Sequence, residues 1–218
     1  MTVAAAATEY LDAIRRGDRR AAFAVLDRVI DAGGDLRALY IDIVQPAMRE
    51  IGRLWQTNVL SVAEEHLATA ISQAAMGRVF ERVFEWRESR TPKLIAACAD
   101  DERHQIGLRM LCDLLEVDGW DTVYLGASVP IESLVDLVYK DRPDAVAISA
   151  TIAPHVPRVR DAIAAIRRLK LEKQPVIAVG GRAFLSDPAL AMRIGADLTA
   201  SDAAEAVATL NARVRRPE

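Results

Sequence analysis

From Thr2 to about Glu88 apolar side chains return every three or four positions, as in Leu11 and Ile14, then Phe23, Leu26 and Ile30, then Leu39, Ile43, Met48, Ile51 and Leu54. That period matches a helix with one buried stripe, so the segment predicts four helices. Breaks fall at Gly17-Asp18, at Gly33-Gly34-Asp35 and at Thr57-Asn58. At the second break glycine ends one helix and Asp35 caps the next. After the third, Ser61 with Glu64 three residues on completes a capping box. Pro46 lies inside the third helix and, lacking an N–H, is expected to kink its axis. Short connections between such helices favour an antiparallel bundle.

Beyond Ser89-Arg90-Thr91-Pro92, a linker by composition, the period changes. Short apolar runs at Lys93–Ala99, Asp121–Leu125, Ala145–Ser149, Val176–Val179 and Asp197–Ala200 alternate with helical patterns of roughly ten or more residues. Runs apolar on both faces are expected of strands buried on both faces, and strand–helix alternation of a parallel sheet wrapped by helices. The sequence therefore predicts an α/β chain in two domains. Residues 1–90 form a four-helix bundle, and residues 91–218 a doubly wound flavodoxin- or Rossmann-like domain.

Composition narrows the function classes. With 218 residues, 51% of them hydrophobic, the chain can bury a substantial core. Its 28 Lys and Arg against 31 Asp and Glu leave a net charge of -3. The basic residues are scattered, so no direct grip on nucleic acid is expected. No window approaches the length of a membrane span and no basic leader opens the chain. Its two cysteines, Cys98 and Cys112, have no zinc spacing and are too few for a disulfide framework. A cytoplasmic protein is expected.

Ligands of doubly wound sheets bind beyond the carboxyl ends of the strands. Three loops there hold chemistry. The first carries Glu102, His104 and Gly107 where a helix begins. A neutral imidazole is a common transition-metal ligand, and a carboxylate two residues away can accept its other N–H and fix its tautomer. Gly107 would let a bulky group approach the backbone. Alone, this loop is better read as a helix-start histidine with a local hydrogen bond. The second loop holds Ser149 and Thr151, the third Gly180-Gly181. Small and hydroxylated residues at adjacent strand ends leave a slot for a long group, although Gly-Gly also serves ordinary turns. No lipase-type G-x-S-x-G, zinc-protease motif or phosphate-cradling loop occurs.

In order and spacing, Glu102/His104/Gly107, Ser149/Thr151 and Gly180/Gly181 resemble the D/E-x-H-x-x-G, S-x-L/T and G-G signature of the cobalamin-binding domain shared by methionine synthase, corrinoid proteins, mutases and light-sensing regulators. The resemblance implies that His104 is the lower ligand of cobalt in place of the cofactor's own base, and that Glu102 orients it. It also implies that Ser149, Thr151, Gly180 and Gly181 hold the displaced nucleotide tail. Glu102 stands where most of the family has Asp. His155, between Pro154 and Pro157, is expected to be an ordinary loop histidine rather than a contact to the corrin edge or tail.

In the helical half, Trp55, Glu65 and His66 form W-x9-E-H. By itself this reads as a buried tryptophan and a solvated Glu-His pair. Joined to the cobalamin signature, the segment from Ala38 to Phe80 resembles the helical cap of B12-dependent photoreceptors. The resemblance implies adenosylcobalamin between the two domains, with Trp55 packed on the adenosyl group and Glu65 and His66 touching it. Light then breaks the cobalt–carbon bond and alters oligomerisation or the surface offered to a separate output protein. Those repressors carry a helix-turn-helix domain that is not found here, which implies a stand-alone sensory module. They also have a histidine after the tryptophan where this chain has Gln56, so the upper ligand of a light product is open. Some stand-alone relatives hold a linear bilin as well, which makes biliverdin a second candidate chromophore. These expectations describe a sensor and not an enzyme. The alternatives are a corrinoid methyl carrier serving separate methyltransferases and a passive cobalamin buffer.

Overall fold

A computed structural model describes residues 2–84 and 91–215. Ser89 and Arg90, and with them the expected boundary at residue 90, lie outside the described residues. The chain divides into two compact units, Met1–Glu85 and Trp86–Glu218.

The first unit is helical: α1 (Val3–Arg15), α2 (Arg19–Asp31), then α3 (Leu36–Ala38) running through a π-helical stretch at Leu39–Val44 into α4 (Gln45–Gln56), and finally α5 (Val62–Val83). The caps follow side-chain chemistry. Asp18 and Asp35 accept from the backbone N–H groups of Ala21 and Ala38. Ser61 and Glu64 exchange bonds in a full capping box. Pro46 falls in the first turn of α4, where a π-helical stretch gives way to α-helix, rather than inside a regular helix as expected. The backbone has already widened before it, with Gln45 N–H donating to Tyr40 O five residues back. A π turn ahead of the proline relieves the clash between its ring and the preceding turn. Tyr10, Leu26, Leu39, Tyr40, Ile43, Ile51 and Met76 are fully buried. Tyr10 Oη donates to Ser72 Oγ at 3.1 Å, tying α1 to α5.

In the second unit β1 (Lys93–Cys98), β2 (Asp121–Gly126), β3 (Ala145–Ser149), β4 (Val176–Gly180) and β5 (Leu198–Thr199) form one parallel sheet in the order β2-β1-β3-β4-β5. Between them run α6 (Ile106–Val117), α7 (Ile131–Asp141), α8 (Val156–Arg167), α9 (Arg182–Leu185) and α10 (Pro188–Arg193), and α11 (Ala203–Val214) closes the unit. This is a flavodoxin-like, doubly wound arrangement, the class the alternation predicts. The single long helix expected after β4 is instead two short ones, parted at Asp187-Pro188, because proline restricts the residue before it and starts a new helix at its first turn. β2 is only half-buried, unlike β1 and β3, because it forms the edge of the sheet. Trp120 is fully buried, and its indole N–H donates to Asn211 Oδ1 at 2.8 Å, fastening α11 to the sheet.

The order places the reversal of winding between β1 and β3, so the chain leaves these two neighbours in opposite directions and opens a crevice at their carboxyl ends. Register fixes the level of that crevice. Cys98 pairs with Ser149 and Ser149 with Gly180, so β1, β3 and β4 end in one row.

Candidate functional site

Glu102 sits at the centre of the crevice with its side chain fully buried. Four donors hold it. Oε1 accepts from the backbone N–H of His104 at 2.9 Å and faces Nδ1 of the same residue at 2.5 Å. Oε2 accepts from the Thr151 N–H at 2.6 Å and faces Nδ1 of His155 at 3.0 Å. Burial of the carboxylate works to raise its pKa, but these bonds, led by the His104 ring, outweigh it and hold the group far below the ordinary carboxylate range. An ionised carboxylate only accepts hydrogen bonds, so both Nδ1 atoms carry hydrogen and donate. For His104 this assigns the lone pair of the neutral ring to Nε2, the nitrogen that would meet a metal. The His104 side chain is 45% exposed, whereas that of His155 is 12% exposed.

The loop that presents His104 is pinned on several sides. Glu102 N–H donates to Ala99 O, and Ser128 N–H to Glu102 O. Asp101 has φ +64, and its N–H donates to Ser128 Oγ at 3.2 Å. Arg158, on α8, pairs with Asp101 at 2.7 Å and Asp100 at 3.3 Å. Cys98 lies beneath, its thiol facing His104 O at 3.8 Å. Burial pushes that thiol up to about 12, so it stays protonated as a weak donor.

The glycines fall into two kinds. Gly181 is required by the fold, with φ +99 and a built Cβ only 2.3 Å from Ala150 O. At Gly107 and Gly180 a built Cβ meets nothing within 4 Å. Their missing side chains therefore leave open space beside the crevice. Thr151 joins the site through its backbone N–H, a contribution that its hydroxyl did not advertise. Ser149 is buried at the end of β3.

His155 differs from its expectation as a plain loop histidine, since it is the second imidazole on the Glu102 carboxylate. The two residues lie 53 positions apart, and no local spacing signals the pair. A cleft of about 660 Å³ near Pro92, Asp118, Asp144 and Arg215 holds none of these residues.

On the helical unit, Trp55 ends α4 with 37% of its surface exposed, so it is not the buried tryptophan of the simpler reading. Glu65, early in α5, accepts from Thr69 Oγ1 at 2.8 Å, and its other oxygen is 3.7 Å from His66 Nε2. The His66 side chain is 69% exposed. Among the described residues no hydrogen bond joins Trp55 to either of them; Trp55 stands near the end of α4, and Glu65 and His66 in the first turns of α5.

Fold and site together define a flavodoxin-like domain that offers a carboxylate-supported imidazole at its switch point, preceded by a helical unit. Residues 92–210 match the B12 binding domain family, and residues 6–79 match a second family described as a B12 binding domain. The chain belongs to the B12-binding family, and cobalamin is its ligand. It is 30% identical to the HTH-type transcriptional repressor CarH of Myxococcus xanthus over 87% of this chain, but spans only 60% of that repressor's length. It is 26% identical to trimethylamine corrinoid protein 1 of Methanosarcina acetivorans, covering 92% of this chain and 93% of that one. The fold is similar to that of the Methanosarcina barkeri monomethylamine corrinoid protein, with a TM-score of 0.77 at 22% identity, covering 92% of this chain and 94% of the other.

The residues present suit a corrin. His104 supplies a nitrogen donor with a fixed tautomer, and Gly107 and Gly180 leave room where side chains would intrude. No helix among the described residues is long and apolar enough to cross a membrane.

Proposed function

We propose that this chain is a light sensor that holds adenosylcobalamin with His104 as the lower cobalt ligand. Glu102 orients His104, while Ser149, Thr151, Gly180 and Gly181 line the slot for the nucleotide tail. Trp55, Glu65 and His66 contact the adenosyl group. Light divides the cobalt–carbon bond, one electron going to each fragment, and the change of axial ligation is read as a new oligomeric state or a new surface for an output protein. In this reading the chain turns over no substrate, and biliverdin is a second chromophore to be tested.

The observation that carries the proposal is the half-exposed Trp55 at the end of α4, together with the Glu65–His66 pair at the start of the next helix, α5. With Val59, Val62 and Leu67 also exposed in the same stretch of chain, an open Trp55 fits a binding surface better than a core. The identity with CarH supports the same reading. The test is to load the protein with adenosylcobalamin in the dark, with and without biliverdin, and record its absorption and its size before and after green light. A spectrum and a size that both stay fixed would sink the proposal.

A second reading has its own support, because the similarity to the trimethylamine corrinoid protein runs nearly end to end in both chains. As a methyl carrier the reduced, loaded protein would take a methyl group from a methylated amine when a partner methyltransferase is added. Methylcobalamin formed in that mixture, with no response to light by the adenosyl form, would favour it.

A further inference from the structure

Gln105 lies between His104 and α6, and its side chain makes no capping bond to that helix. It reaches sideways instead. Its Oε1 accepts from Tyr124 Oη at 2.8 Å, across to the edge strand β2. Tyr124 is itself braced, since the Arg109 guanidinium lies 5.7 Å from its ring centroid and is paired with the buried Asp113 at 2.5 Å. Gly126 has φ +76, and a Cβ there would stand 3.1 Å from Gln105 Oε1. That position therefore preserves the space the amide occupies.

Burial pushes the Tyr124 phenol well above its ordinary pKa, which keeps it a donor. The amide oxygen of Gln105 is thus taken, and the two N–H donors of the side chain point away from Tyr124. Among the described residues they meet no protein acceptor. A braced amide with two such donors stands one residue from a half-exposed imidazole, at the carboxyl ends of β1 and β2. Gln105 is itself only half-buried, so these donors are open to solvent and available to a ligand that covers the crevice.

We infer that Gln105, oriented by Tyr124, donates a hydrogen bond to the carbonyl of an amide side chain on the corrin rim and so helps to select the amidated macrocycle. The inference rests on cobalamin being the ligand and adds a positioning pair, Gln105 and Tyr124, to the site. The rim is the acceptor rather than the nucleotide tail, because Gln105 lies on the β1–β2 side of His104 whereas the tail slot lies on the β3–β4 side.

The experiment measures binding of aquacobalamin and of aquacobinamide, which keeps the rim amides and lacks the tail, to the full apo chain. The comparison takes in wild type, Gln105→Leu, Tyr124→Phe and the double variant. Gln105→Leu should weaken both ligands by about three- to ten-fold, the usual worth of one neutral hydrogen bond. The double variant should bind no more weakly than Gln105→Leu alone, since Tyr124 acts through Gln105. If Gln105→Leu melts earlier than wild type, Gln105→Met keeps the length without the amide and takes its place. Unchanged affinity in the amide-free variant overturns the inference, and so does a loss seen with aquacobalamin but not with aquacobinamide. Wild type that binds neither ligand would instead overturn the cobalamin assignment itself.

Discussion

Glu102 and His155, 53 residues apart, meet at 3.0 Å between Oε2 and Nδ1, so the carboxylate that orients His104 is itself held from behind by a second imidazole. Outer partners of a metal ligand commonly alter affinity ten- to a hundred-fold. His155→Ala should therefore weaken cobalamin by about ten-fold while leaving His104 able to ligate. His104→Ala should abolish imidazole ligation outright. Absorption spectra of the loaded variants distinguish the two: a shifted equilibrium for His155→Ala, and a base-off or water-ligated spectrum for His104→Ala. An unaltered spectrum in His104→Ala would remove its role as ligand.

Glu102→Ala strips four donors of their acceptor inside the apo protein. Breaking a buried, paired group of this kind should cost about 3 kcal/mol of folding stability, measurable by urea denaturation without any ligand. The pH dependence has a definite sign. The folded-state pKa of Glu102 lies below its ordinary value of 4.5, so its contribution is fully present above about that pH and is lost as the pH falls toward the folded value. Glu102→Gln should flatten the acid limb of the stability curve, and an acid limb identical to wild type would contradict the burial and bonding described for the carboxylate.

The glycines should separate folding from binding. Gly107 is the second residue of α6, where alanine is the better helix former, and a Cβ there meets nothing within 4 Å. Gly107→Ala should stabilise the apo fold by up to about 1 kcal/mol and still weaken cobalamin. Gly181→Ala should do the opposite to folding. Its positive φ alone costs about 1–2 kcal/mol, and contact with Ala150 O adds to that. Thermal melts and cobalamin titrations of both variants check the pair. Equal or tighter cobalamin binding by Gly107→Ala would show that the open space serves no ligand.

Trp55→Ala should cost the apo fold about 2–3 kcal/mol, because a ring only 37% exposed still buries most of its apolar area. The same substitution should remove any preference for adenosylcobalamin over aquacobalamin. Competition binding between the two cofactors in the dark gives the answer, and an undiminished preference would take Trp55 out of the adenosyl site.

Much of this structure was legible in the sequence because its signals are local. Asp35, Ser61 and Glu64 act within three residues of where they stand, and the strands at Lys93, Asp121, Ala145 and Val176 announce themselves as short apolar runs. The site loop was legible for the same reason, since Glu102 and His104 are two residues apart. What escaped depends on contacts made by folding. His155 reaches Glu102 only because β1 and β3 are neighbours in the sheet, and Gln105 reaches Tyr124 only because β2 flanks β1 on the other side. The π turn before Pro46 is another case, since a proline signals strain but not how the backbone disperses it. The break at Asp187-Pro188 did carry a local signal, and the apolar pattern around it masked that signal.

The shared row formed by Cys98, Ser149 and Gly180 bears on how such a domain can be altered. A residue inserted within β1, β3 or β4 would exchange the side chains that strand offers to its two faces and lift its loop out of line with the others, whereas a residue exchanged beyond the row leaves the sheet as it was. The sheet behaves as a fixed ruler and the loops as replaceable inserts. A new lower ligand, tail slot or rim contact can thus be grafted one loop at a time, provided each graft begins after the row.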